Sequence, residues 1–120
     1  MALEDSMCTL VPYFKVNEGK LDEFKALGEK MVEQTKAESD CLFYGFSFNG
    51  DRALCREGYT GADGVLAHLA NIDGLLKQAL GISSLEVFEI HGPAAELDKL
   101  REPLKGLGPT YFTLETGFRR

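Results

Sequence analysis

Residues 52–80 read RALCREGYTGADGVLAHLANIDGLLKQAL. The first part alternates as a strand does. Ala53, Cys55, Glu57 and Tyr59 fall on one face, and Arg52, Leu54, Arg56 and Gly58 on the other. From Gly61 onward the period changes. Val65, Leu66, Leu69, Ile72, Leu75, Leu76, Ala79 and Leu80 recur at helical spacing. Asn71-Ile72-Asp73-Gly74 is poor helix material, so the spacing predicts two helical pieces or one bent helix, with Gly81 as a C-terminal cap. A strand therefore runs straight into an amphipathic helix. Against that scaffold Glu57, Tyr59 and His68 are the side chains with chemistry to offer.

The chain before this stretch repeats the same strand-and-helix logic. Asn49-Gly50-Asp51 is a tight-turn signal, so Cys41–Asn49 and Arg52–Thr60 form an antiparallel hairpin. In the first of these strands Leu42, Tyr44, Phe46 and Phe48 share a face opposite Cys41, Phe43, Gly45 and Ser47. Further upstream, Cys8–Val16 alternates with Leu10, Pro12, Phe14 and Val16 on one side and Thr9, Val11, Tyr13 and Lys15 on the other. Pro12 has no N–H for a ladder, which predicts an edge strand or a bulge. Asn17-Glu18-Gly19 turns the chain into a helix over Lys20–Ala37. Leu21, Phe24, Leu27, Gly28, Met31, Val32 and Thr35 form its apolar side, and its charged residues the wet one. Residues 1–6 read as a loose tail.

Downstream, Ile82–His91 is a fourth strand, with Leu85, Val87, Glu89 and His91 on one face and Glu86, Phe88 and Ile90 on the other. Gly92-Pro93 opens a further helix with an apolar stripe at Ala94, Leu97, Leu100, Leu104 and Leu107, interrupted by Pro103. Thr110–Thr116 is a fifth strand that extends the sheet or reaches across a dimer, and Gly117–Arg120 is a frayed basic end. The order is β-α-β-β-α-β plus a helix and a strand. The fold class is thus α+β, a ferredoxin-like antiparallel sheet with both helices on one face. One domain spans residues 1–120, its core 8–92 and its C-terminal extension 93–116. Such a sheet leaves its second face bare, and that face carries aromatic residues in either phase. A homodimer formed sheet to sheet is the expected remedy.

Composition removes several classes of function. A net charge of −6 without any basic stripe argues against nucleic acid. No apolar run is long enough to span a membrane, and MALEDSMC is not a signal sequence, so a cytoplasmic protein is expected. Cys8, Cys41 and Cys55 lie in apolar runs without metal-ligand spacing and read as reduced, buried thiols, with no metal site. Gly61-Ala62-Asp63-Gly64 lacks the lysine and hydroxyl of a phosphate loop.

The residues Glu57, Tyr59 and His68 in REGYTGADGVLAHLAN, together with FKVNEGKLDEF at Phe14–Phe24, resemble the antibiotic biosynthesis monooxygenase family of the dimeric α/β-barrel superfamily. The resemblance covers roughly residues 8–92. It implies sheet-to-sheet dimers with a cavity in each protomer. It also implies a cofactor-independent monooxygenase acting on a quinol or another small aromatic compound, with no cofactor of its own. His68 would be the base, supported by Tyr59 and Glu57. Tyr13, Tyr44, Phe46 and His91 are the substrate-binding candidates. The haem-degrading branch of the family relies on a Trp, and this chain has none. The competing reading is a non-catalytic dimeric domain that binds a small molecule or serves in stress.

Overall fold

The computed structural model describes residues 5–120, so the first four residues of the expected N-terminal tail lie outside the described residues. The elements in chain order are β1 (Cys8–Val16), α1 (Leu21–Thr35), β2 (Cys41–Asn49), β3 (Arg52–Tyr59), α2 (Ala62–Asn71), α3 (Asp73–Gly81), β4 (Ser83–Gly92), α4 (Ala94–Arg101) and β5 (Thr110–Thr113). A single 3-10 turn at Lys105–Leu107 separates the last two. The sheet order is β2-β3-β1-β4-β5. The four strands of the ferredoxin-like unit pair antiparallel, and β5 joins β4 in parallel. The extension therefore makes the sheet mixed, and the fifth strand extends it.

The strand phases put one face of the sheet under the helices. Leu10, Phe14 and Val16 of β1, Ala53, Cys55, Glu57 and Tyr59 of β3, and Phe88 and Ile90 of β4 are all buried there. α1 contributes Phe24, Leu27, Gly28 and Met31 at spacings of three and four, the signature of a helix with one buried stripe. Two apolar clusters result. One gathers Leu10, Tyr59, Val65 and Ile90 with Leu97, Leu100 and Leu104 of the extension. The other joins Phe14, Phe24, Met31, Ala53 and Ile72. The predicted break in the second helix is real: α2 ends at Asn71 and α3 begins at Asp73, with Ile72 between them buried in the core.

Several local expectations change, most of them for a backbone reason. Pro12 sits in β1, the middle strand, so it marks no edge; the irregularity it predicted is a bulge next to it, between Tyr13 and Phe14. There β4 advances from Val87 to Leu85 while β1 advances by one residue, so Leu85 rotates away from the face of Val87, Glu89 and His91 and joins the core. A second bulge between Cys41 and Phe43 turns Cys41 toward the core and leaves Leu42 exposed. Cys41 is accordingly half-buried, and only Cys8 and Cys55 are fully so; all three are free thiols. The C-terminal end is tied down: Arg119 Nε and Nη2 donate to Asp5 at 2.8 and 3.0 Å. The pairing pulls the Asp5 carboxyl down to about 2.

α2 approaches the sheet closely because of Gly64. A Cβ at Gly64 would lie 2.9 Å from Asp40 Cβ and 3.4 Å from Tyr59 Cβ. Asp40 is held there by the backbone, since Thr60 N–H donates to its carbonyl at 2.9 Å. Gly64→Ala is therefore expected to lift α2 from the β2–β3 hairpin and to lower stability by about 1–3 kcal/mol, read by urea denaturation. A variant as stable as wild type would show that this close approach has slack.

Candidate functional site

The inward face of β3 and the buried stripe of α2 meet between the two core clusters. Strand alternation brings Cys55, Glu57 and Tyr59 to the same side, and the first two turns of α2 carry His68 over them. His68 has 1% of its surface exposed and Glu57 5%. A narrow cavity of about 40 Å³, the space open to the centre of a water-sized sphere, lies against both. Its polar corner consists of Tyr44, Cys55, Glu57 and His68, and its remaining walls are apolar side chains from the sheet, from α1 to α3 and from Leu107. No lysine or arginine lines it.

The hydrogen bonds assign roles to the two nitrogens of His68. Nδ1 lies 2.9 and 3.1 Å from the two carboxylate oxygens of Glu38. A carboxylate accepts, so Nδ1 carries the proton and the lone pair of the neutral ring is on Nε2. Nε2 faces Glu57 Oε1 at 3.5 Å. Glu38 is itself fixed, because Asn71 Nδ2 donates to it at 2.7 Å and to the Gln34 carbonyl at 3.1 Å. The Tyr44 and Tyr59 rings flank the imidazole, with centroids 5.0 and 5.1 Å away.

Glu57 is a carboxyl group in an apolar layer. The Tyr59 hydroxyl donates to its Oε1 at 2.6 Å. Burial nevertheless dominates and pushes Glu57 up to about 7, against the lowering effect of the Tyr59 and Cys55 hydrogen bonds. Burial also lowers His68, although the bond to Glu38 opposes this. The Tyr44, Tyr59 and Cys55 groups are pushed up by burial and keep their protons. Near neutral pH the corner thus holds a carboxyl poised between acid and base beside a neutral imidazole, with little net charge. That pair can give a proton to one substrate atom and take one from another.

The structure brings five of the seven sequence candidates together and separates the other two. His68 and Glu57 line the cavity, and Tyr59 stands behind Glu57 as its hydrogen-bond donor. Tyr44 and Phe46 form part of the wall. Tyr13 and His91 do not reach it. Both occupy the strand phase opposite to Phe14 and Ile90 and so lie on the far face of the sheet. There His91 Nδ1 bonds Thr9 Oγ1 at 2.8 Å and Nε2 bonds Glu89 at 3.1 Å, so it shares no site with His68. Sequence reasoning missed Glu38, which follows the first helix and holds His68 Nδ1, while Glu57, expected to support His68, faces its Nε2. No cluster of three His, Cys, Asp or Glu able to hold a metal occurs among the described residues.

No family model and no curated protein sequence matches the chain. Solved structures do. MupZ from Pseudomonas fluorescens superposes with a TM-score of 0.92 at 46% identity, over 97% of this chain and 96% of that one. The chain belongs to the MupZ family. A candidate antibiotic biosynthesis monooxygenase from Caulobacter crescentus CB15 matches with a TM-score of 0.65 at 20% identity, over 72% of this chain and 88% of that one. A conserved protein from Methanosarcina mazei Go1 gives 0.67 at 19% identity, over 71% and 90%. The MupZ-family chain therefore has the antibiotic biosynthesis monooxygenase fold.

The burial of Glu57 has a measurable consequence. Its carboxyl ionises near its ordinary 4.5 in the unfolded chain and at about 7 in the fold. Between those values the fold holds the extra proton, so this group's contribution to stability falls as pH rises and is level above 7. His68 works in the opposite sense, adding stability above its ordinary 6.5 that fades as pH falls. Glu57→Gln keeps an acceptor for Tyr59 and has no charge to bury. Its stability relative to wild type should climb between pH 4.5 and 7 by about 3 kcal/mol and then level off, read by thermal unfolding across pH. A difference independent of pH would mean that the Glu57 carboxyl is hydrated.

Proposed function

We propose that this protein is a cofactor-independent acid–base enzyme acting on a small, largely apolar molecule through an oxygen placed between Glu57 and His68. The observation that carries the reading is the polar corner itself. A carboxyl tuned to about 7 sits 3.5 Å from an imidazole nitrogen whose other nitrogen is pinned by Glu38. Structural ion pairs on surfaces do not need that arrangement, and an apolar cavity beside it gives a substrate somewhere to go. The absence of cationic side chains from the wall favours an uncharged ligand.

In its oxidative form the reaction is the monooxygenation of a quinol or another small aromatic compound. Proteins of the same fold are named as candidate antibiotic biosynthesis monooxygenases. His68 Nε2 removes a proton from a substrate carbon, the resulting anion adds O₂ to form a hydroperoxide, and cleavage of its O–O bond with loss of water leaves one oxygen in the product as a carbonyl, while Tyr44 and Glu57 bond the substrate oxygens. A non-oxidative form is favoured by one specific feature, the proton that Glu57 retains near neutral pH. A neutral acid aids the oxidative form only as a hydrogen-bond donor to a substrate oxygen. It contributes a great deal to isomerisation, elimination or ring chemistry, in which one oxygen gains a proton as another loses one.

Oxygen uptake decides between them. Purified metal-free protein is offered a panel of quinols and anthrone-like phenols beside His68→Ala and Glu57→Gln. Uptake by wild type that falls about a hundredfold in both variants supports the oxidative form, in the range expected for loss of a general acid or base. Turnover of an apolar substrate without O₂ consumption, lost in the same variants, supports the non-oxidative form. Ligand binding with no turnover of either kind leaves a non-catalytic binding domain.

The same reading includes a homodimer through the uncovered sheet face. Val11, Tyr13, Leu54 and Val87 form its apolar middle, with Val87 43% exposed in the single chain. Arg56 flanks this middle on the β3 side and Glu89 on the β4 side, so a two-fold axis through β1 sets opposite charges against each other. Sedimentation should give twice the chain mass for wild type. Val87→Arg, which places like charges across the axis, should sediment as a monomer with its fold intact. A monomeric wild type overturns the dimer.

A further inference from the structure

The cavity beside Glu57 is too small for the substrates its chemistry suits. Its 40 Å³ falls well below the roughly 150 Å³ that accommodates a benzene ring. If the cavity is the substrate site, as proposed above, one wall must move. Most walls are not free to do so. β1, β3 and β4 are laddered on both sides. α2 is fixed to the end of α1 by the His68–Glu38 and Asn71–Gln34 hydrogen bonds. α3 spans the gap between α1 and β4, with Ala79 fully buried and Ser83 Oγ bonded to its carbonyl at 2.6 Å.

The wall formed by Leu107 differs. It belongs to the 3-10 turn between α4 and β5, and the backbone bonds of residues 105–108 are all local. Lys105 N–H donates to Glu102, Leu107 N–H to Leu104 and Gly108 N–H to Lys105. The Lys105 side chain also pairs within the turn, with Glu102. Among the described residues, no hydrogen bond ties 105–109 to the sheet or to α1–α3. The turn carries its own pivots in Gly106 and in Gly108, the latter in the left-handed region at φ +63°, and the stiff Pro103 and Pro109 bound it. Leu104, buried at 5%, anchors one end, and β5 anchors the other.

We infer that Leu107 is the gate and the size-determining residue of the cavity. The turn swings outward about Gly106 and Gly108 to admit a ligand, and the Leu107 side chain sets how large a group can lie against Glu57 and His68. The extension then serves access and selection, while the ferredoxin-like unit serves the proton chemistry. The ligand class follows from the walls: an uncharged molecule with one apolar ring or branched chain and an oxygen at the end that meets the acid–base corner.

Naphthol, an uncharged fluorescent phenol, is a suitable probe because its binding requires no turnover. Association is followed by stopped-flow fluorescence with wild type, Leu107→Ala, Leu107→Phe and Leu114→Ala. Leu114 is an exposed leucine of the same extension that does not line the cavity. Removing the gate side chain should speed association and tighten binding by about tenfold or more, while Leu107→Phe should slow and weaken it. Leu114→Ala should behave as wild type. Identical behaviour of Leu107→Ala and wild type overturns the gate. So does a Leu107→Ala protein that binds no naphthol, since the widened cavity must then accept a ring. Should Leu107→Ala fail to fold, unchanged kinetics in Leu107→Phe overturn it instead. The two readings fail separately: the association rates of the Leu107 variants test the gate and need no turnover, whereas loss of turnover in His68→Ala and Glu57→Gln tests the acid–base corner.

Discussion

A carboxyl group that the fold buries in an apolar layer is the constraint around which the rest is arranged. Ionised, Glu57 would face a large desolvation cost with no cation within reach. Burial and the nearby Glu38 carboxylate favour the neutral form against the Tyr59 and Cys55 hydrogen bonds, and no lysine or arginine lines the cavity. The Tyr59 hydroxyl donates to one of its oxygens, the Cys55 thiol lies beside it, and the neighbouring imidazole is neutral. A lysine or arginine at the same place would have fixed the carboxylate as a permanent anion. Its absence keeps the proton exchangeable near pH 7, which is a property of use to catalysis and of no use to stability.

The second requirement is that the imidazole keep its orientation without becoming charged. Glu38 meets it from outside the core. It lies in the loop after α1, accepts from Nδ1, and is itself held by Asn71 at the end of α2. The same net joins the C-terminal ends of α1 and α2, where unpaired carbonyls need donors: Gln34 donates to the Asn71 carbonyl and Asn71 to the Gln34 carbonyl. One cluster of polar side chains therefore closes two helix ends and fixes the tautomer. Buried polar networks of this type are satisfied as a set, so the site and the helix packing stand or fall together.

Much of the fold was legible because periodicity is a local signal. The period-two run at 52–59 and the period-3.6 run after Gly61 placed Glu57, Tyr59 and His68 correctly on facing surfaces. The Asn-Gly turn placed the hairpin, and the break at Ile72 appeared where the residues were poor helix formers. Local signals failed where one residue was inserted into a ladder. The bulges at Tyr13/Phe14 and Cys41/Phe43 moved Leu85, Cys41 and Leu42 to faces that alternation alone denies them. They failed again for contacts between residues distant in sequence. Glu38 and His68 are 30 positions apart, and nothing in the run Glu38-Ser39-Asp40 distinguishes a histidine clamp from an ordinary helix end. Likewise Tyr13 and His91 carried a plausible chemistry on the wrong face.

The extension beyond Gly92 accounts for what the wider fold does not. The MupZ structure matches 97% of this chain, whereas the Caulobacter protein of the same fold matches 72%. Residues 93–120 add three leucines, Leu97, Leu100 and Leu104, to the core cluster beside β4, and their burial secures α4. Glu96 adds an oxygen 2.9 Å from the first free N–H of α2, which suits the positive end of that helix. The segment that follows is anchored at both ends and free between them, and its Leu107 reaches the cavity. Placing the two tasks on different segments lets the cavity change in size while the Tyr59 and Cys55 hydrogen bonds to the carboxyl, both from β3, stay in place. A substitution in the 3-10 turn alters what fits. A substitution under α2 alters the ionisation of the buried carboxyl, on which the proposed proton transfer rests.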